Sequence, residues 1–152
     1  MYTKILVPLD GSKRAERILS HVEHLAERYD ATVIFIRVIE PVVHYVEPEG
    51  AAIRLQDEEI RRRNEEAERY LAGWEGEFRS KRIQARKIVE YGSVVETIIS
   101  VADQESVDLV AIASHGRSGL ARVFYGSVAA GILARVDRPL LVIRSRRETA
   151  SD

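Results

Sequence analysis

Short runs of β-branched and aliphatic residues alternate along the chain with longer stretches in which apolar residues recur every three or four positions. The first run is Lys4 to Leu9, closed by the turn-forming Asp10-Gly11-Ser12. Ala15, Ile18, Leu19, Val22, Leu25, Ala26 and Tyr29 follow at helical spacing and predict one apolar helix face. Ala31 to Ile39 predicts a second strand, and two prolines and a glycine between Pro41 and Gly50 predict a loop. From Ala52 to Arg79 the chain is dense in charge, yet Ile60, Ala67, Leu71, Trp74 and Phe78 fall on one helical stripe. Glu58–Arg62, Glu59–Arg63 and Glu65–Arg69 stand four residues apart in the favourable orientation, which reads as a solvated helix face. Gly73 and Gly76 weaken that helix near its end.

The second half repeats the alternation. Ile83 to Glu90 predicts a strand, and its weaker apolar content predicts an edge position. Ser93, with Glu96 three residues on, forms a capping-box pattern and opens a helix carrying Val95, Ile98, Ile99 and Ala102 inward. Asp108 to Ala113 is a continuous apolar strand, as expected in the middle of a parallel sheet. Ser127 to Val136 predicts a helix with Val128, Ile132, Leu133 and Val136 on one face, and Leu140 to Ile143 predicts the last strand after Pro139. Strand and helix alternate from end to end, so the predicted class is α/β: a single open, doubly wound, five-stranded parallel sheet with helices on both faces. Residues 1–145 make one domain and 146–152 a polar tail that frays. Ligands of such sheets bind beyond the carboxyl ends of the strands, at the point where the strand order reverses.

Composition narrows the partners. Lys plus Arg is 23 and Asp plus Glu is 24, a net charge of −1, without the basic excess of a dedicated nucleic-acid or membrane-surface binder. The absence of cysteine excludes disulfides, thiolate zinc sites and cysteine nucleophiles. The amino terminus enters an apolar run without a signal-peptide pattern, and no run approaches the roughly 18 apolar residues of a membrane span, so a cytoplasmic location is expected.

The loop after the fourth strand carries the candidate chemistry. It reads Ala113-Ser114-His115-Gly116-Arg117-Ser118-Gly119 and ends at Gly126-Ser127, where the last helix begins. Small residues allow close backbone approach to a ligand, and backbone N–H groups at a helix start attract anions. Arg117 and Arg122 stand near as phosphate partners, and Ser127 either donates its hydroxyl or caps the helix. Neither GxxxxGK[ST] nor GxGxxG after the first strand is present. On the residues alone, phosphate binding and plain turn chemistry both account for this loop.

Ile5-Leu6-Val7-Pro8-Leu9-Asp10-Gly11-Ser12, the Ser114 to Gly119 segment with Gly126-Ser127-Val128-Ala129, and Arg138-Pro139-Leu140-Leu141-Val142-Ile143-Arg144 occur in this order. In that combination the chain resembles the universal stress protein family over essentially its full length, which implies a Rossmann-like fold. One branch of the family binds ATP through G-x2-G-x9-G-[ST]. Gly116, nine residues, then Gly126-Ser127 match the later part of the pattern, while Ala113 stands where its first glycine belongs. Alanine is costly there if the position needs positive φ and tolerable if it needs only a small side chain; a strand end favours the second.

The resemblance implies an ATP-binding stress-response regulator, with ADP or AMP as alternatives and Mg²⁺ or Mn²⁺ carried by the phosphates. It places Pro8, Asp10, Val38, Ala113, His115, Gly116, Arg117, Gly126, Ser127 and Val128 at the nucleotide. Asp10 would accept hydrogen bonds from ribose hydroxyls or adenine, or help Ser12 cap the first helix. The resemblance also implies a homodimer through antiparallel pairing of the closing strand, residues 140–143, whose apolar edge needs covering. Hydrolysis should be slow at most, because the loop offers no water-activating carboxylate and only His115 as a base. His21, His24 and His44 are scattered without a matching carboxylate cluster, which argues against a protein-bound zinc. The alternative is an interaction module of the same fold that binds no nucleotide. An enzyme using this loop lacks a nucleophile–base pair, and a receiver domain lacks its carboxylate cluster.

Overall fold

The computed structural model describes residues 1–41, 51–115 and 126–145; for 51–56, 115 and 145 it describes the backbone alone. Five parallel strands, β1 (Lys4–Pro8), β2 (Thr32–Ile39), β3 (Ala85–Tyr91), β4 (Leu109–His115) and β5 (Leu140–Ser145), form one sheet in the order β3-β2-β1-β4-β5. Four helices connect them: α1 (Leu19–Tyr29), α2 (Ala51–Ser80), α3 (Val94–Gln104) and α4 (Ser127–Arg135). The doubly wound parallel sheet expected from the alternation is the observed architecture, and β3 is an edge strand as its composition predicts. Among the described residues no helix is long and apolar enough to cross a membrane.

Strand alternation divides the core into two layers. Ile5, Val7 and Leu9, Val33 and Phe35, and Leu109 and Ala111 pack with α1 and α2, through Val22, Leu71 and Phe78 among others. Leu6, Ile34, Ile36, Val110 and Ile112 point to the other face and pack with α3 and α4 through Ile98, Ala102 and Ile132. The two aromatic rings at the centre of the first layer, Phe35 and Phe78, meet edge to face with centroids 5.0 Å apart.

Local details depart from expectation at three places. A 3₁₀ turn, Ala15–Ile18, precedes α1, started by Ser12, whose Oγ accepts from the Ala15 N–H at 3.1 Å. Ser93 is the N-cap of α3, but its side chain makes no capping bond to the helix. Its hydroxyl donates instead to the Glu96 carboxylate, which also pairs with Arg135 of α4; together these hold Glu96 down at about 2. The capping-box pattern thus resolves into a link between two helices. Leu133, expected inward, is 51% exposed, because Ala129 and Ile132 carry the buried face of α4. On α2 the Glu59–Arg63 pair forms, while Arg62 turns to Glu59 and Glu66.

One carboxylate fastens the central strands to each other. Asp108, just before β4, accepts from the Thr3 N–H at 2.7 Å, the Thr3 hydroxyl at 2.6 Å and the Lys4 N–H at 3.1 Å. Desolvation pushes this carboxyl upward, but the bonds from Thr3 and Lys4 outweigh it and hold it below its ordinary value. A depressed acid contributes stability above its unfolded pKa and loses it as pH falls through the folded value. Asp108→Asn is expected to lower stability by about 1–2 kcal/mol near neutral pH, the group being partly solvated. In urea melts the difference from wild type should hold above about pH 5 and shrink below about pH 4. A difference that stays constant down to pH 2 contradicts the assignment.

Candidate functional site

The strand order reverses between β1 and β4. The chain leaves β1 towards the face that carries α1 and leaves β4 towards the face that carries α4, so the two strand ends part. A cleft of about 460 Å³ opens there. Pro8 closes β1 at its edge, and Val38 enters from the end of β2. Val94 and Ile98 of α3, with Ile112 of β4, give it an apolar wall. Gly126, Ser127, Val128 and Ala129 bring the start of α4 into its lining.

That helix start is electrostatically open. Gly126 is the N-cap, with φ −54° and ψ 154°, and no side chain caps the helix. The first intrahelical bond runs from the Ala130 N–H to the Gly126 carbonyl at 2.9 Å. The N–H groups of Ser127, Val128 and Ala129 therefore have no intrahelical acceptor, and the helix dipole adds positive potential at the same place. Ser127 is the first helical residue and exposed, so it does not cap, and its hydroxyl faces solvent.

Asp10, just after β1, also lines the cleft. Its Oδ1 accepts from the Ser12 N–H at 2.9 Å, which fixes the turn after β1. Desolvation raises this carboxyl, but hydrogen bonding from Ser12 and the charge of Arg14 more than offset it, and Asp10 is held below the ordinary value. Turn chemistry and cleft lining therefore coexist at this residue. Ala113 also lines the cleft. It pairs in register with Ile143 and is not among the described non-glycine residues with positive φ, which are Asp30, Arg82 and Ser106.

Of the residues expected at a ligand, Pro8, Asp10, Val38, Ala113, Gly126, Ser127 and Val128 meet in this one cleft. Gly116 and Arg117 lie outside the described residues, as does Arg122, and of His115 only the backbone at the end of β4 is described. The tail from 146 and most of the 41–50 loop also lie outside them.

Three polar residues of the cleft escaped the sequence reading: Ser114, Arg37 and the exposed Glu40. Ser114 is buried, and its hydroxyl donates to the Ile143 carbonyl at 3.4 Å. Arg37 is half-buried, with its guanidinium carbon 5.8 Å from the Tyr70 ring centroid. A Cβ on Gly11 would stand 2.4 Å from the Arg37 Nη1, the movable end of a flexible side chain, so it is the backbone, with φ +85°, that calls for glycine there. Tyr70 in turn donates its hydroxyl to Glu16 at 3.1 Å, and burial, with Glu16 adding to it, pushes the phenol up to about 12. The signal for Arg37 was present: it is the one charge in the otherwise apolar run of β2.

Comparison with known proteins agrees with this geometry. The model of the universal stress protein family matches residues 1–144. The universal stress protein MJ0577 of Methanocaldococcus jannaschii is 26% identical over 157 residues, covering 96% of this chain and 97% of that protein. Its solved structure superposes with a TM-score of 0.81 at 28% identity, over 97% of this chain and 99% of that one. Two more distant structures share the fold, each with a TM-score of 0.63. One is a universal stress protein in complex with cAMP, 19% identical over 94% of this chain and 97% of its own. The other is the Archaeoglobus fulgidus universal stress protein in complex with dAMP, 18% identical over 93% of this chain and 97% of its own. With the family model matching residues 1–144 and the fold shared with solved members, the chain belongs to the universal stress protein family.

Proposed function

We propose that the cleft binds an adenine nucleotide, ATP foremost with ADP or AMP as the other forms, and that the protein is a nucleotide-dependent regulator of the stress response. The observation that carries this reading is the pairing of an uncapped helix start with a hydroxyl-accepting carboxylate in one cleft. The α4 N–H groups suit phosphates, Asp10 suits ribose hydroxyls, and Val38 with Val94 and Ile98 suits the flat face of a base. The same fold holds cAMP in one solved relative and dAMP in another. His115, Gly116 and Arg117 complete the phosphate side in this reading. Mg²⁺ or Mn²⁺ would be held mainly by the phosphates. Hydrolysis is slow at most in this reading, since the loop after β4 offers no water-activating carboxylate and only His115 as a base. The nucleotide then acts as a ligand that shifts a conformational population.

An interaction module without nucleotide drew its support from Ala113 in place of glycine. Alanine at this position adopts ordinary strand backbone, so it brings no strain, and the nucleotide reading is favoured.

The protein works in this reading as a cytoplasmic homodimer. β5 has β4 on one side only, carries Leu140 to Ile143, and lies at the same end of the sheet as α4, where Leu133 is exposed. An apolar edge strand of this kind favours pairing with a second copy.

Thermal unfolding of nucleotide-stripped protein tests the ligand. At free ATP near 100 times Kd, stabilisation of about 2.7 kcal/mol and a shift of several degrees are expected. Gly126→Asp places a carboxylate at the helix start and should abolish the shift; an unchanged shift contradicts the site. Ala113→Gly should leave ATP affinity equal or higher, and a large loss would mean that residue 113 plays another part. Sedimentation equilibrium should return twice the 17.2 kDa chain mass, with Leu133→Lys weakening association. A monomer at every concentration rules out the closing-strand dimer.

A further inference from the structure

Among the described residues Arg37 is a cation without a counterion. A half-buried guanidinium is ordinarily matched by carboxylates or carbonyls, because its desolvation is otherwise uncompensated. The described arginines of α2 that line the adjoining cavity are matched: Arg62 binds Glu59 and Glu66, and Arg63 binds Glu59. Among the described residues Arg37 has neither an ion pair nor a hydrogen bond, and its contacts are the Tyr70 ring and the close approach to Gly11. Neither contact uses its N–H donors, so the fork is unspent among the described residues, an arrangement suited to a bidentate anion.

Its location defines which part of a ligand it meets. Arg37 lines the 460 Å³ cleft from β2, on the far side of β1 from β4 in the sheet, whereas the α4 start follows β4 in the chain. Together with Val38 and Glu40 it also lines an adjoining cavity of about 270 Å³, whose outer wall is Arg62, Arg63 and Glu66 of α2. The committed arginines of that wall are neutralised by their own glutamates, and Glu40 is exposed, so Arg37 is the cation left for a ligand among these residues. Adenine itself is a poor match for the fork, because its edge offers a donor beside an acceptor, whereas guanidinium only donates.

We propose that the cleft takes a nucleotide with two separated phosphates: the 5′ group at the start of α4, and a second, esterified to a secondary hydroxyl of the ribose, held by Arg37 with the adjoining cavity as its room. This rests on the nucleotide reading of the cleft and adds a class of ligand to it.

Isothermal titration of the full chain with 5′-AMP, adenosine 3′,5′-bisphosphate and adenosine 2′,5′-bisphosphate tests it. One bisphosphate isomer should bind at least about tenfold more tightly than 5′-AMP, a preference that shrinks with added salt, and the preferred isomer identifies the hydroxyl. In Arg37→Gln the ratio of the two affinities should fall to near one, and Arg37→Lys should restore part of it. Circular dichroism of both variants checks that the sheet is intact. Equal binding of 5′-AMP and both bisphosphates by the wild-type chain overturns the proposal and leaves the nucleotide reading standing. A preference that persists in Arg37→Gln overturns the role of Arg37. Binding of none of the three overturns the nucleotide reading and this proposal with it.

Discussion

Everything in this molecule is arranged around the burial of β1 on all sides. Ile5, Leu6 and Val7 are fully excluded from water, with β2 and β4 hydrogen-bonded on either edge and helices on either face. A strand in that position has no polar face to show, which is why its sequence is continuously apolar rather than alternating. Its backbone polar groups are satisfied only by parallel neighbours, and parallel neighbours require the long crossovers that carry the helices. Two crossovers extend the sheet one way, to β2 and β3, and the next must return across to β4. The divergence of chain beyond β1 and β4 follows from that return, and with it the cleft.

Charge is distributed to protect one edge of the sheet and leave the other open. β3 carries Arg86, Lys87 and Glu90, and its cations are paired with Glu105 of α3 and Glu68 of α2. Such an edge resists addition of a further strand. β5 has no comparable ion pairs among the described residues, and its four apolar side chains are only partly covered. The polar effort near β5 goes into Arg138 instead, which donates to the Ala102 and Val107 carbonyls and pairs with Asp103. That residue satisfies the carboxyl end of α3 just before the chain enters β5, so it fixes where the open edge lies without guarding it.

The elements and their class were legible because each obeys its period: threes and fours in α1 and α3, a continuous run in β1 and β4. The edge character of β3 was legible from its charges. Strand order is different in kind. Periodicity reports what a segment buries, not which segment it lies beside, so the order β3-β2-β1-β4-β5 was not read from it. The departures share a physical origin in contacts between elements distant in sequence. Glu96 has the right spacing to close a capping box, but Arg135, 39 residues away, competes for its carboxylate. Leu133 fits a helical stripe, but α4 needs only Ala129 and Ile132 to cover its share of the sheet. At the site, the turn residues and the small residues at 113 and 126 were readable because backbone chemistry is local. Arg37 was not read, although a lone charge in an apolar strand marks a position where burial has been accepted for another reason.

That reason also bears on Gly11. Left-handed backbone at φ +85° already excludes nearly every side chain, and a turn after β1 could be built by other residues in other conformations. The Arg37 Nη1 stands 2.4 Å from where a Cβ would be, so a side chain at 11 would also require the guanidinium to shift. The position of Asp10 is then set from both directions, by the Ser12 N–H on one side and by the packed turn on the other. Asp10 and Arg37 line one cleft without joining as an ion pair, so the guanidinium donors and the lone pairs that Asp10 does not give to Ser12 remain for a third partner. Paired with each other, they would have less left for a ligand.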